Sequence, residues 1–150
     1  MTSNINLVIN GKETRKGGIS RLLWVSPLAM AVATVANAAV YLAAGVLVPE
    51  VTEWTGAGIG QIVGATIVYL LIGAVVLALI SRLSSKPGRH YLAAATVGVV
   101  LSLWLPISAG LGYGPPGMPV ASTATVVTLS LMHLVSYAIS VPMYIRLAID

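Results

Sequence analysis

This sequence is expected to fold as an all-α membrane protein, a four-transmembrane-helix up-down-up-down bundle with N and C termini cytoplasmic. Three observations predict it. Hydrophobic residues make up 57% of the 150 and charged ones only 8%, with a mean hydropathy of +0.94. A soluble domain carries about 25% charged residues, so this surface suits lipid. Four apolar segments reach the roughly 20 residues a helix needs to cross a bilayer. Finally, all eight basic residues fall on one predicted side.

The first span covers residues 22–48. Ser26-Pro27 near its start suits an N-cap and first helical residue, because proline's missing N–H is unpaired there anyway. The small-residue site Ala36-Asn37-Ala38 resembles a signal cleavage site, but an apolar run reaching Val48 outlasts a signal-peptide core of about 7–15 residues. The remaining spans cover residues 59–80, 91–112 and 120–145. Connections this short make sequential helices antiparallel. Residues 22–150 thus form one transmembrane domain, behind a cytoplasmic tail over residues 1–21. Asn10-Gly11 in "NLVINGKET" signals a tight turn, yet a lone hairpin is marginal in water, and a flexible tail is the favoured reading.

Orientation follows from basic residues, which stay on the cytoplasmic side. Lys12, Arg15, Lys16 and Arg21 precede span one, Arg82, Lys86 and Arg89 join spans two and three, and Arg146 ends span four. Glu50 and Glu53 lie on the far side. The first seven basic residues make an inner-face cluster suited to anionic headgroups, at about 1 kcal/mol per residue. A pI near 9.7 therefore reflects topology and not nucleic-acid binding. Trp24, Tyr91 and Tyr144 are expected at the inner interface, Trp54 and Tyr113 at the outer one, as anchoring aromatics. No cysteine is present, which excludes disulfides and thiolate chemistry.

Lipid gives helices no hydrophobic drive to associate, so packing relies on small residues. Gly56, Gly60 and Gly64 recur every four residues, as do Ala94, Gly98 and Ser102, and span one offers Ala29 and Ala33 before Asn37. These faces are expected to pack helices within the chain or between chains. Pro106 and Pro142 are expected to interrupt their helices.

His133 lies in the middle of span four, in "TLSLMHLVSYAISVPMY". At about 100° per residue, Ser122, Ser130, His133, Ser136, Tyr137, Ser140 and Tyr144 share one side. Such a polar face belongs inside a bundle or at an interface. Asn37, Tyr69, Ser102 and His133 fall near the centres of their spans and are expected to form a midplane polar layer. Three readings of His133 stay open. It is a neutral residue bonded to Asn37 or Tyr69 that fixes register, an axial ligand to haem or a chlorophyll-type pigment, or part of a solute or proton path. The last is weakened because no Asp, Glu, Lys or Arg lies inside any span.

The carboxylates Glu13, Glu50, Glu53 and Asp150 stand away from both histidines, and no metal-ligand set, P-loop, HExxH or GxSxG motif occurs. "GAGIGQIVG" opens a membrane span and follows no strand, so packing explains it better than dinucleotide binding. A non-enzyme is expected, without a metal and with no cofactor beyond the haem or pigment alternative.

"RLLWVSPLAMAVATVANAAVYL" and "TLSLMHLVSYAISVPMYIRLA" resemble a family of small bacterial four-helix integral membrane proteins of unknown function. Arg21, Trp24, Asn37, Met132, His133, Pro142 and Arg146 carry the resemblance, which covers spans one and four well and the middle half only in general character. It implies the four-helix fold, a multi-pass place in the bacterial inner membrane and interest in an Asn37–His133 pairing, but no activity. The function expected is a packing or accessory subunit of a homo-oligomer or larger membrane complex. The alternatives are small-solute or proton permeation along the polar face of span four, and pigment binding. Expected partners are the lipid bilayer, anionic headgroups, and further copies or another membrane protein.

Overall fold

A chain in lipid must satisfy its backbone groups internally, which a helix does within one segment. The computed structural model describes residues 3–149, with side chains from residue 20 onward. Helix α1 runs Ser3–Leu47, α2 Glu50–Glu53, α3 Ile59–Leu83, α4 Pro87–Ser102, α5 Trp104–Gly110 and α6 Thr123–Met143, ending in a π-helical segment Tyr144–Ile149. No strand occurs among the described residues. Among the described residues, four stretches are long and apolar enough to cross a membrane: Ser20–Leu47, Ile59–Leu83, Pro87–Gly110 and Thr123–Ile149.

Local chemistry sets most of the helix ends. Pro87 occupies the first turn of α4, where it has no intrahelical bond to lose. Ser122 caps α6 by accepting from the Thr125 N–H at 3.2 Å. The Gln61 side-chain oxygen accepts from the Gly58 N–H ahead of α3. Pro106 cannot donate to the carbonyl one turn back, and the third apolar stretch breaks at Leu103 between α4 and α5. Just beyond Pro142 the ladder widens to π-helical spacing. The turn signalled at Asn10-Gly11 is not made, since α1 passes through both residues. A two-residue turn needs two paired strands, whereas a helix already nucleated adds residues cheaply.

Helix α1 is the common wall, packing against both α3 and α6. Its buried side repeats every four residues as Ala29, Ala33, Asn37 and Tyr41, and both alanines are 0% exposed. Small side chains here let two neighbouring helices approach one backbone. α3 answers with Ile62, Thr66, Leu70, Ala74 and Leu77. Two apolar clusters result. One gathers Leu22, Val25, Ala29, Leu77, Tyr91, Val141 and Tyr144 near the basic end, and the other gathers Tyr41, Val51, Ile62 and Met132.

Several expectations are corrected. Tyr91 and Tyr144 are not interfacial anchors: both are buried, edge to face at 5.9 Å, and the Tyr144 hydroxyl donates to the Leu70 carbonyl at 3.1 Å. A hydroxyl that finds a backbone acceptor can leave the interface. Gly56 lies before α3, under the Trp54 ring. Gly60, Gly64 and Gly98 are exposed with nothing close to where a Cβ would project, so they join no helices within the chain. They sit on the sides of α3 and α4 turned away from α1, while Gly45 and Gly110 make the close approaches, to Thr52 and Val126.

Stability should report this difference. Ala33→Leu is expected to destabilise the protein by about 1–3 kcal/mol through overpacking. Gly64→Leu, projecting into open space, should not destabilise it and should gain up to about 1 kcal/mol from helix propensity. Equilibrium unfolding in mixed detergent micelles measures both.

Candidate functional site

Between the two apolar clusters lies a polar junction centred on Asn37, which is 3% exposed. Its amide nitrogen donates to Thr66 Oγ1 at 3.0 Å on α3 and to Ser136 Oγ at 2.8 Å on α6. One side chain therefore ties α1 to both neighbours at one height. Its carbonyl oxygen is buried without a hydrogen-bond partner among the described residues.

His133 makes different contacts. Its Nδ1 lies 2.9 Å from Ser102 Oγ on α4. The Tyr69 ring meets the imidazole edge to face, with centroids 5.8 Å apart. The Asn37–His133 hydrogen bond is not formed, and each residue has its own partners. Both nevertheless line one cleft, together with Tyr69 and Ser102.

That cleft has a volume of about 420 Å³ and lies between α3, α4–α5 and α6. Apolar residues such as Ile62, Val76, Leu105 and Val141 supply most of its lining. Its polar lining runs from Gln61 at one end through Asn37, Thr66, Tyr69, Ser102, His133, Ser136, Tyr137 and Ser140, and no Asp, Glu, Lys or Arg lines it. Tyr69, Ile72 and Leu105 line it while remaining exposed, so the cleft opens on the outer surface of the helices.

The polar side of span four is divided. His133, Ser136, Tyr137 and Ser140 face the cleft, and the Tyr137 hydroxyl pairs with Thr96 Oγ1 at 2.8 Å. Ser122 is used as a cap, Ser130 is half-buried outside the cleft lining, and Tyr144 is held by Leu70. Ala94 and Gly98 line the cleft and do not close it. Arg21, Arg82, Lys86 and Arg89 are exposed, while Lys12, Arg15 and Lys16 lie outside the described side chains. No group of three or more His, Cys, Asp or Glu able to hold a metal occurs among the described residues.

Residues 15–149 match the model of a family of unknown function, DUF6069. The chain belongs to that family. The match takes in both segments that carried the resemblance and the apolar stretches between them, so membership extends over all four long helices. No curated protein and no solved structure matches. A place in DUF6069 assigns no activity, and the chemistry must be read from the site.

Thr66 was missed in the sequence. Its signal was the four-residue repeat Ile62, Thr66, Leu70, which puts the hydroxyl on the same side of α3 as the residues facing α1. Asn37→Ala removes both amide donors, and membrane hydrogen bonds average about 0.6 kcal/mol. A loss of about 1–2 kcal/mol is expected in equilibrium unfolding, with Thr66→Val losing less because Ser136 keeps its bond.

Proposed function

We propose that this chain is a non-catalytic membrane protein that binds a small lipid-soluble molecule in the cleft between α3, α4–α5 and α6. One observation carries the reading: a cleft of about 420 Å³, mostly apolar, whose lining includes the uncharged polar groups of Asn37, Tyr69, Ser102, His133 and Ser136. Ligand sites span about 300–1,000 Å³ with this division between apolar walls and sparse polar groups. The opening beside Tyr69 and Ile72 faces where lipid would lie, which suits entry from the bilayer.

Native mass spectrometry of protein extracted gently from its own membranes tests this. The expected result is a 15.5 kDa chain carrying a small-molecule adduct. The adduct should be lost in Ala94→Phe, which fills the cleft. Bare masses for both proteins would overturn the reading. A second reading, a subunit of an oligomer or larger complex, draws on the open glycine face at Gly60 and Gly64. It predicts multiples of 15.5 kDa, or the added mass of another polypeptide, in the same spectra.

The reading includes an up-down-up-down passage through the bacterial inner membrane with both termini cytoplasmic, supported by the placement of basic residues. The absence of native cysteine makes this easy to test. In spheroplasts, Thr55→Cys should react with a membrane-impermeant maleimide from outside. Ser85→Cys should react only after permeabilisation, and the reverse pattern would invert the topology.

A further inference from the structure

Resting on the cleft-binding reading, we infer that the ligand is an uncharged amphiphile with a hydroxyl head, a lipid-soluble alcohol or phenol, which donates its hydrogen to Nε2 of His133.

Ser102 Oγ lies 2.8 Å from the Val99 carbonyl, which can only accept. Both contacts of Ser102 Oγ are hydrogen bonds at once only when its single hydrogen lies toward Val99 and His133 Nδ1, 2.9 Å away, donates to Oγ; this is the tautomer we assign. A neutral imidazole carries one N–H, so Nε2 presents a bare lone pair. Charging the ring at this depth is costly without a partner, and the cleft lining holds no carboxylate. Nε2 has no hydrogen-bond partner among the described residues and is not among their sealed polar atoms.

One turn along the same side of α6, Ser136 Oγ already accepts from Asn37. Its own hydrogen has no acceptor among the described residues. The cleft thus presents an acceptor at His133 and a donor at Ser136. A hydroxyl both donates and accepts, and complements the pair. A bare carbonyl gives nothing to Nε2, and an ether gives it nothing either. Phosphate and carboxylate heads are disfavoured because no lysine or arginine lines the cleft, which also removes counterions for haem propionates. The hydroxyl sits at His133 and Ser136, and the apolar body lies along the aliphatic walls.

The test uses the full chain in phosphatidylcholine nanodiscs, with octylphenol and its methyl ether as probes. Two-bond proton–nitrogen spectra of histidine-labelled protein should show Nδ1 of His133 protonated and Nε2 bare. Octylphenol should shift the Nε2 resonance and bind about tenfold more tightly than the ether, the scale of one good hydrogen bond. His133→Leu should remove the difference between the two probes. Ser102→Ala, at a positioning residue, should shrink it. Equal binding of the two probes would overturn the inference and leave cleft binding standing. Protonation at Nε2 in the free protein would overturn it without any variant. Binding of neither probe, with bare masses from native membranes, would overturn both. A visible absorption band lost in His133→Leu would make Nε2 a ligand to haem or pigment and overturn the hydroxyl head.

Discussion

Asn37 donates from a single nitrogen to α3 and α6, and the rest of the structure is arranged around that point. Hydrophobic contact alone would leave these helices free to slide, because lipid tails and leucine side chains are equally apolar. A directional bond from one amide to two hydroxyls removes that freedom for three helices together. Ala29 and Ala33, fully buried below it, let the backbones come close enough for so short a side chain to reach both neighbours. The apolar clusters on either side then pack in a register already chosen.

Concentrating the close packing on one wall has a consequence on the other. With α3 and α6 drawn against α1, α4 and α5 complete the fold across a gap, and the gap is the cleft. The Pro106 break and the small residues Ala94 and Gly98 keep that side thin. Small residues thus do opposite work in the two places. On α1 they are covered and close an interface, whereas on α4 they face a cavity and leave volume open. Spacing alone does not distinguish these uses, since both read as small residues four apart.

This ambiguity marks how far the sequence was legible. The number of long apolar helices, the proline-disturbed helices and the polar side of span four could be read from hydropathy, proline chemistry and helical periodicity. The mid-chain residues Asn37, Tyr69, Ser102 and His133 do line one space. Their pairings were not legible, because a hydrogen bond depends on helix rotation, and single-span patterns set rotation only coarsely. Thr66 instead of His133 takes the Asn37 donor, and Ser102 instead of Asn37 takes the histidine. The buried tyrosines misled for a related reason. Tyr91 and Tyr144 have the sequence positions of interfacial anchors, but the Leu70 carbonyl gives Tyr144 an internal acceptor, and the two rings pack on each other.

The absence of charge from the cleft lining shapes what its chemistry can be. A site without carboxylate, lysine or arginine has no strong field to attract an ion, and selects by matching single donors to single acceptors. Such matching is weak in water, where solvent competes for every group, and stronger where the walls are aliphatic. Its value then depends on fixing which groups donate, and hydroxyls alone do not fix this because they rotate. In the assignment we propose, the Val99 carbonyl takes the Ser102 hydrogen, and Ser102 in turn accepts from the histidine Nδ1–H. A backbone acceptor on α4 thereby determines, through two side chains, the polarity of an atom on α6. His133 suits that relay better than another serine would, because an imidazole held at one nitrogen has no freedom left at the other.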